Sequence, residues 1–118
     1  MFTQRVAVNQ VRAFVHELHK IGIRPEQVVL FGSYARNEQR EESDIDVALV
    51  SDCFTGAGPI DVRLMAHLLA RNPFFFIEPH TFSPEQFADW NPFVKEIKRT
   101  GIVIEERASV AENKVIEG

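Results

Sequence analysis

The sequence predicts an α/β (α+β) domain, a mixed β-sheet with helices packed mainly on one face. Two short apolar runs carry most of that prediction. Val28-Val29-Leu30-Phe31 and Ile45-Asp46-Val47-Ala48-Leu49-Val50 have the β-branched character of strands covered on both faces. Apolar residues at helical spacing stand on either side of the pair, and the resulting order is helix, strand, strand, helix, strand, helix.

The first helix rests on Ala7, Val11, Phe14, Val15, Leu18 and Ile21, which recur at three- and four-residue steps and form one apolar face. Thr3 is placed to cap it and Gly22 to end it. Pro25 breaks the chain before the first strand, which stops at Gly32-Ser33. A charged stretch over 37–42 leads into the second strand, whose single acid, Asp46, has no place in an ordinary core. Gly56-Ala57-Gly58-Pro59 reads as a turn, and Ile60, Leu64 and Leu68 outline a second long helix that Asn72-Pro73 ends. A third strand is expected over 74–82, with Pro79 marking a strand end, a bulge or an edge. Ser83-Pro84-Glu85-Gln86 resembles a capping box, and Asn91-Pro92 should open one more helix ending near Gly101. Ile102-Val103-Ile104 suits a last short strand. One domain is expected over residues 1–106, with 107–118 as a flexible tail.

The chain of 118 residues is 45% hydrophobic and 25% charged, enough for one ordinary core with ten Phe residues supplying much of it. No apolar stretch nears the roughly 20 residues that span a bilayer. The opening residues lead straight into the amphipathic pattern without the apolar block of a secretory signal, so the expected location is the cytoplasm, with no membrane partner. A net charge of −4 argues against strong nucleic-acid binding, which basic groups drive. Cys53 is the one cysteine, so an internal disulfide is excluded; it reads as a small buried or half-buried residue.

Chemistry concentrates where the two strands begin and end. Gly32 lets the backbone approach a ligand closely, and N–H groups at the start of a helical turn over 34–36 attract anions. Ser33 offers a hydroxyl to a phosphate oxygen. Arg36 suits either a phosphate or a neighbouring Glu. Taken alone, a strand followed by Gly-Ser is an ordinary turn. Asp44 and Asp46, two apart in an extended segment, point to the same side. Bare carboxylates about 4 Å apart repel by roughly 4 kcal/mol at an effective dielectric near 20, a penalty that a divalent cation removes. Hard oxygen ligands suit Mg2+, with Mn2+ as a substitute. The plainer alternative is that Asp44 caps a turn and Asp46 meets a Lys or Arg.

Gly32-Ser33, ten intervening residues and Asp44-Ile45-Asp46 together form the pattern G-S-x10-D-x-D. This resembles the signature of the DNA polymerase beta-like nucleotidyltransferase superfamily, and the wider segments Gly32-Ser33-Tyr34-Ala35-Arg36 and Ser43-Asp44-Ile45-Asp46-Val47-Ala48-Leu49-Val50 are similar to its minimal nucleotidyltransferase family. That resemblance implies the nucleotidyltransferase fold, ATP as nucleoside triphosphate substrate, and catalytic, metal-binding Asp44 and Asp46. It also implies Gly32, Ser33 and Arg36 at the nucleotide and a third carboxylate, catalytic and metal-binding, from a later strand. Glu78 is the candidate, although the family often has Asp there; Asn37 stands where relatives commonly carry Gly.

Members of the family are often antitoxins paired with HEPN toxins. The expected activity is therefore transfer of AMP to a hydroxyl of a HEPN-type helical protein, because the chain has no room for an acceptor-binding domain. An antitoxin acting by binding alone and a small-molecule nucleotidyltransferase are the alternatives, and self-association into a homo-oligomer is left open. His16 and His19 are three apart, not the four of a zinc-protease helix, and read as partly exposed. His67 reads as structural. His80 shares the side of the strand that carries Glu78 and so lies within reach of nucleotide or metal. Phe74-Phe75-Phe76 is expected to put rings on both sheet faces, and Trp90 and Phe93 suit either a docking patch or a satellite cluster.

Overall fold

Thr3 starts the first helix as expected: its hydroxyl accepts from the Val6 N–H at 3.1 Å, and α1 runs over Gln4–Lys20. The helix closes at Ile21, after which Gly22 takes a φ of 88°, a conformation glycine adopts without strain. In this computed structural model, which describes residues 2–71 and 73–107, four strands follow: β1 (Gln27–Phe31), β2 (Ile45–Val50), β3 (Ile77–Phe82) and β4 (Ile102–Glu106). They form one sheet in the order β3-β2-β1-β4. β1 pairs antiparallel with both β2 and β4, whereas β2 and β3 run parallel, so the sheet is mixed.

Alternation along the strands divides the core in two. Val28, Leu30, Ile45, Val47, Leu49 and Ile77 face α1, whose Ala7, Val11, Phe14, Val15 and Leu18 cover them. The opposite face presents Val29, Phe31, Ala48, Val50 and Phe82 to Val94 and Ile97 of α4 (Pro92–Thr100). α4 begins as predicted, with the Asn91 side chain accepting from the Phe93 N–H at 2.9 Å and Pro92 in the first turn.

Three expectations are corrected. The second helix is not continuous: α2 (Gly58–Val62), a 3-10 turn (Arg63–Met65) and α3 (Ala66–Leu69) follow one another. Its buried side is Asp61, Met65 and Leu68, while Ile60 and Leu64 are more than half exposed. Phe74–Phe76 is a 3-10 turn instead of strand, burying Phe74 against Phe14 and leaving Phe75 and Phe76 exposed. Cys53 is exposed, beside Ser51, whose hydroxyl lies 3.3 Å from the sulfur.

Other expectations hold in detail. Pro79 sits on β3, an edge strand, the kind of position at which a sheet tolerates a residue without an N–H. Ser83 and Gln86 exchange the bonds of a capping box, Ser83 N–H to Gln86 Oε1 at 2.9 Å and Gln86 N–H to Ser83 Oγ at 3.4 Å, although only a turn follows. His16 is exposed and His19 half-buried, whereas His67, read as structural, is exposed on the surface. Arg107, the first residue of the predicted tail, still bonds to the domain through its N–H to the Glu26 carbonyl at 2.8 Å. Asn72 and the rest of the tail lie outside the described residues.

Candidate active site

One row across the sheet gathers the acids. Phe31 of β1 is opposite Asp46 of β2, and Asp46 is opposite Glu78 of β3. Because β2 and β3 are parallel and in register, His80 follows Glu78 on the same face. That face is apolar further along, under α4, and becomes acidic only at this end. Aromatic rings mark the change: His80 meets Phe31 edge to face at 4.9 Å between centroids, and Phe93 at 6.2 Å. His80 Nε2 lies 3.2 Å from Asp46 Oδ1. Asp46, Glu78 and His80 each bring a ligand atom within 4.8 Å of the others. Asp44, exposed just before β2, joins through Glu78: a hydrogen bond between their carboxyls pushes the Glu78 pKa above the ordinary glutamate range. Burial and the charge of Asp46 add to that rise, and His80 opposes it.

The loop after β1 closes on the same place. Gly32 has a φ of 76°, and a Cβ added there would collide with the Asp46 carboxylate. Only a glycine therefore lets this turn pass so close to the acid. The next residues make one helical turn, with Arg36 N–H bonding the Gly32 carbonyl at 3.2 Å and Glu38 N–H the Ser33 carbonyl at 2.8 Å. Among the described residues, no backbone carbonyl takes the N–H of Ser33, Tyr34 or Ala35. Such free donors at the head of a turn are suited to phosphate oxygens. The turn is fixed from below by the buried Tyr34 ring and from the side by Gln4, whose Nε2 donates to the carbonyls of Tyr34 and Ala35 at 3.0 and 3.1 Å. Asn37 ends it with a φ of 57°, in the left-handed region that Asn tolerates and Gly prefers.

The donor set fits a divalent cation. Three carboxylates converge, and among the described residues no Lys or Arg lies within 4.0 Å to offset them. Crowded anions with only the His80 imidazole beside them favour either a proton shared between carboxyls, in keeping with the raised Glu78 pKa, or a metal ion.

The six residues singled out in the sequence divide accordingly. Asp44, Asp46, Glu78 and Gly32 come together, and Ser33 heads the adjoining turn. Arg36 stands at the outer side of the turn, where its guanidinium lies 3.7 Å from Glu38 and is well exposed. Two contributors left no signal in the sequence. Gln4 acts on a turn thirty residues away, and Asp61 is a polar letter in an amphipathic helix. Asp61 is only 1% exposed, yet its carboxylate accepts from Thr55 and Gly56 N–H at 2.9 Å each, from the Thr55 hydroxyl at 3.0 Å and from the Thr81 hydroxyl at 2.6 Å. It thereby ties the loop before α2 to β3.

Residues 8–108 match the sequence model of the family described as "Nucleotidyltransferase domain". Over 43 residues the chain is 46% identical to a Methanocaldococcus jannaschii protein named "Putative protein adenylyltransferase"; that stretch is 36% of this chain and spans 43% of the relative's length. The fold is similar to the crystal structure of "a putative nucleotidyltransferase" from Sulfolobus solfataricus, with a TM-score of 0.59 and 19% identity over 85% of this chain and 80% of the other.

Proposed function

Because this chain belongs to the nucleotidyltransferase domain family, we propose that it transfers AMP from ATP to a hydroxyl group on a protein partner. The observation that carries this is the row joining Asp46 to Glu78, with Asp44 at its mouth and the Gly32 turn against it. The free N–H groups over 33–35 and the Ser33 hydroxyl bind the triphosphate. Gly32 lets it come down onto the carboxylates. Asp44, Asp46 and Glu78 would hold Mg2+, which neutralises the phosphate charge and eases departure of pyrophosphate. The acceptor oxygen bonds to the α-phosphorus as the bond from that phosphorus to the bridging oxygen breaks. The hydroxyl proton passes to a carboxylate oxygen of Glu78, and pyrophosphate leaves.

A HEPN-type helical protein is the proposed partner, on the strength of the resemblance to the minimal nucleotidyltransferases, and the chain would act as its antitoxin. Adenylylation of a protein is also the activity in the name of the M. jannaschii relative. A reaction that consumes ATP fits a cytoplasmic location. Intact-mass measurement tests the proposal: after incubation with ATP and Mg2+, a HEPN partner should gain AMP. A tight complex with an unmodified partner would instead support an antitoxin acting by binding alone, for which the departures at Asn37 and Glu78 speak.

A further inference from the structure

We propose that His80 is a ligand of the metal held at this site, and that its imidazole tilts the site toward Mn2+ over Mg2+. The inference rests on the nucleotidyl-transfer reading of the same carboxylates. His80 Nε2 and Asp46 Oδ1 are 3.2 Å apart, and Glu78 places an oxygen within 4.8 Å of both. Donors on neighbouring corners of an octahedron with bonds of about 2.1 Å stand about 3.0 Å apart, so the observed separation suits two ligands of one ion. The ring is also held in place. Phe31 and Phe93 meet it at centroid distances of 4.9 and 6.2 Å, which keeps the Nε2 edge turned to the acids instead of to solvent. Its position on β3, two residues after Glu78, gives the edge strand two potential ligands on one face.

The chemistry of the donors then sets the preference. Mg2+ keeps oxygen ligands and dehydrates reluctantly, whereas Mn2+ accepts carboxylate oxygen and gains more from an imidazole nitrogen. The competing role for His80 is to donate a hydrogen bond to Asp46 and orient it from outside the coordination sphere. The two roles separate in His80→Gln, whose amide nitrogen reaches the position of Nε2 and can still donate to Asp46 but which has no imidazole.

The test uses the full chain, stripped of metal with a chelator and titrated calorimetrically with Mn2+ alone and Mg2+ alone. Pulsed electron paramagnetic resonance of the Mn2+ complex accompanies it, and AMP transfer is measured on the same samples. The expected results are an imidazole-nitrogen coupling to Mn2+ in the parent and binding of Mn2+ at least about tenfold tighter than Mg2+. His80→Gln should lose the coupling and about tenfold of that preference. A parent complex without nitrogen coupling, or a His80→Gln variant with unchanged preference, overturns the assignment. If AMP transfer persists alongside either result, the nucleotidyl-transfer reading stands without it; absence of transfer in the parent defeats that reading separately.

Discussion

Gly32 has the least room for change of any residue at the site. Its φ of 76° strains any side chain, and a Cβ there meets the Asp46 carboxylate. Gly32→Ala is therefore expected to cost roughly 2 kcal/mol in urea unfolding and to suppress nucleotidyl transfer together. Asp61 acts on stability instead. Burial alone would raise its pKa, but the hydrogen bonds from Thr81, Thr55 and Gly56 outweigh burial and hold the carboxyl below the ordinary aspartate range. Since the native value is lower than the unfolded one, the unfolded chain binds the proton more readily. The contribution is fully present above an unfolded pKa of about 3.9 and is lost as pH falls through the native value. Asp61→Ala should lower stability at neutral pH by about 3 kcal/mol, because the buried Thr81 hydroxyl and the partly buried donors of Thr55 and Gly56 all lose their acceptor. Thermal melts across the acid range check the sign: the parent should lose stability more steeply than the variant as pH falls.

At the scale of elements, α4 closes the second core and brings Phe93 to His80. Its start depends on Asn91, so Asn91→Ala should lose about 1 kcal/mol, read as a lower denaturation midpoint at unchanged slope. This helix was legible because cap, proline and apolar spacing agree, as were α1, β1 and β2. The segment after the Gly56 turn was not. Periodicity chose Ile60 and Leu64 as its inner side, yet the helix is turned to bury Asp61, whose cost is met by partners distant in sequence. Phe74–Phe76 misled for a related reason, since three rings in a row carry strand propensity while tertiary packing takes only Phe74 into the core. The candidate site was legible at Gly32, Asp44 and Asp46, whose joint pattern carries the family resemblance and which the structure brings together. His80 against Asp46 was hidden because that contact exists only once β2 and β3 pair in parallel register.

For the whole molecule, a mixed sheet covered on both faces leaves one end where an apolar layer gives way to three carboxylates. The described residues include no helix long and apolar enough to cross a membrane, and the net charge is −4, so the site's attraction for a polyphosphate depends on backbone donors and a cation. The most direct measurement follows the phosphate that is moved. With a HEPN partner and Mg2+, ATP labelled at the α-phosphate should mark the partner and ATP labelled at the γ-phosphate should not, while Asp46→Asn, still folded by circular dichroism, should transfer neither. Label arriving from the γ-position, or transfer by Asp46→Asn at the parent's rate, would contradict nucleotidyl transfer at these carboxylates.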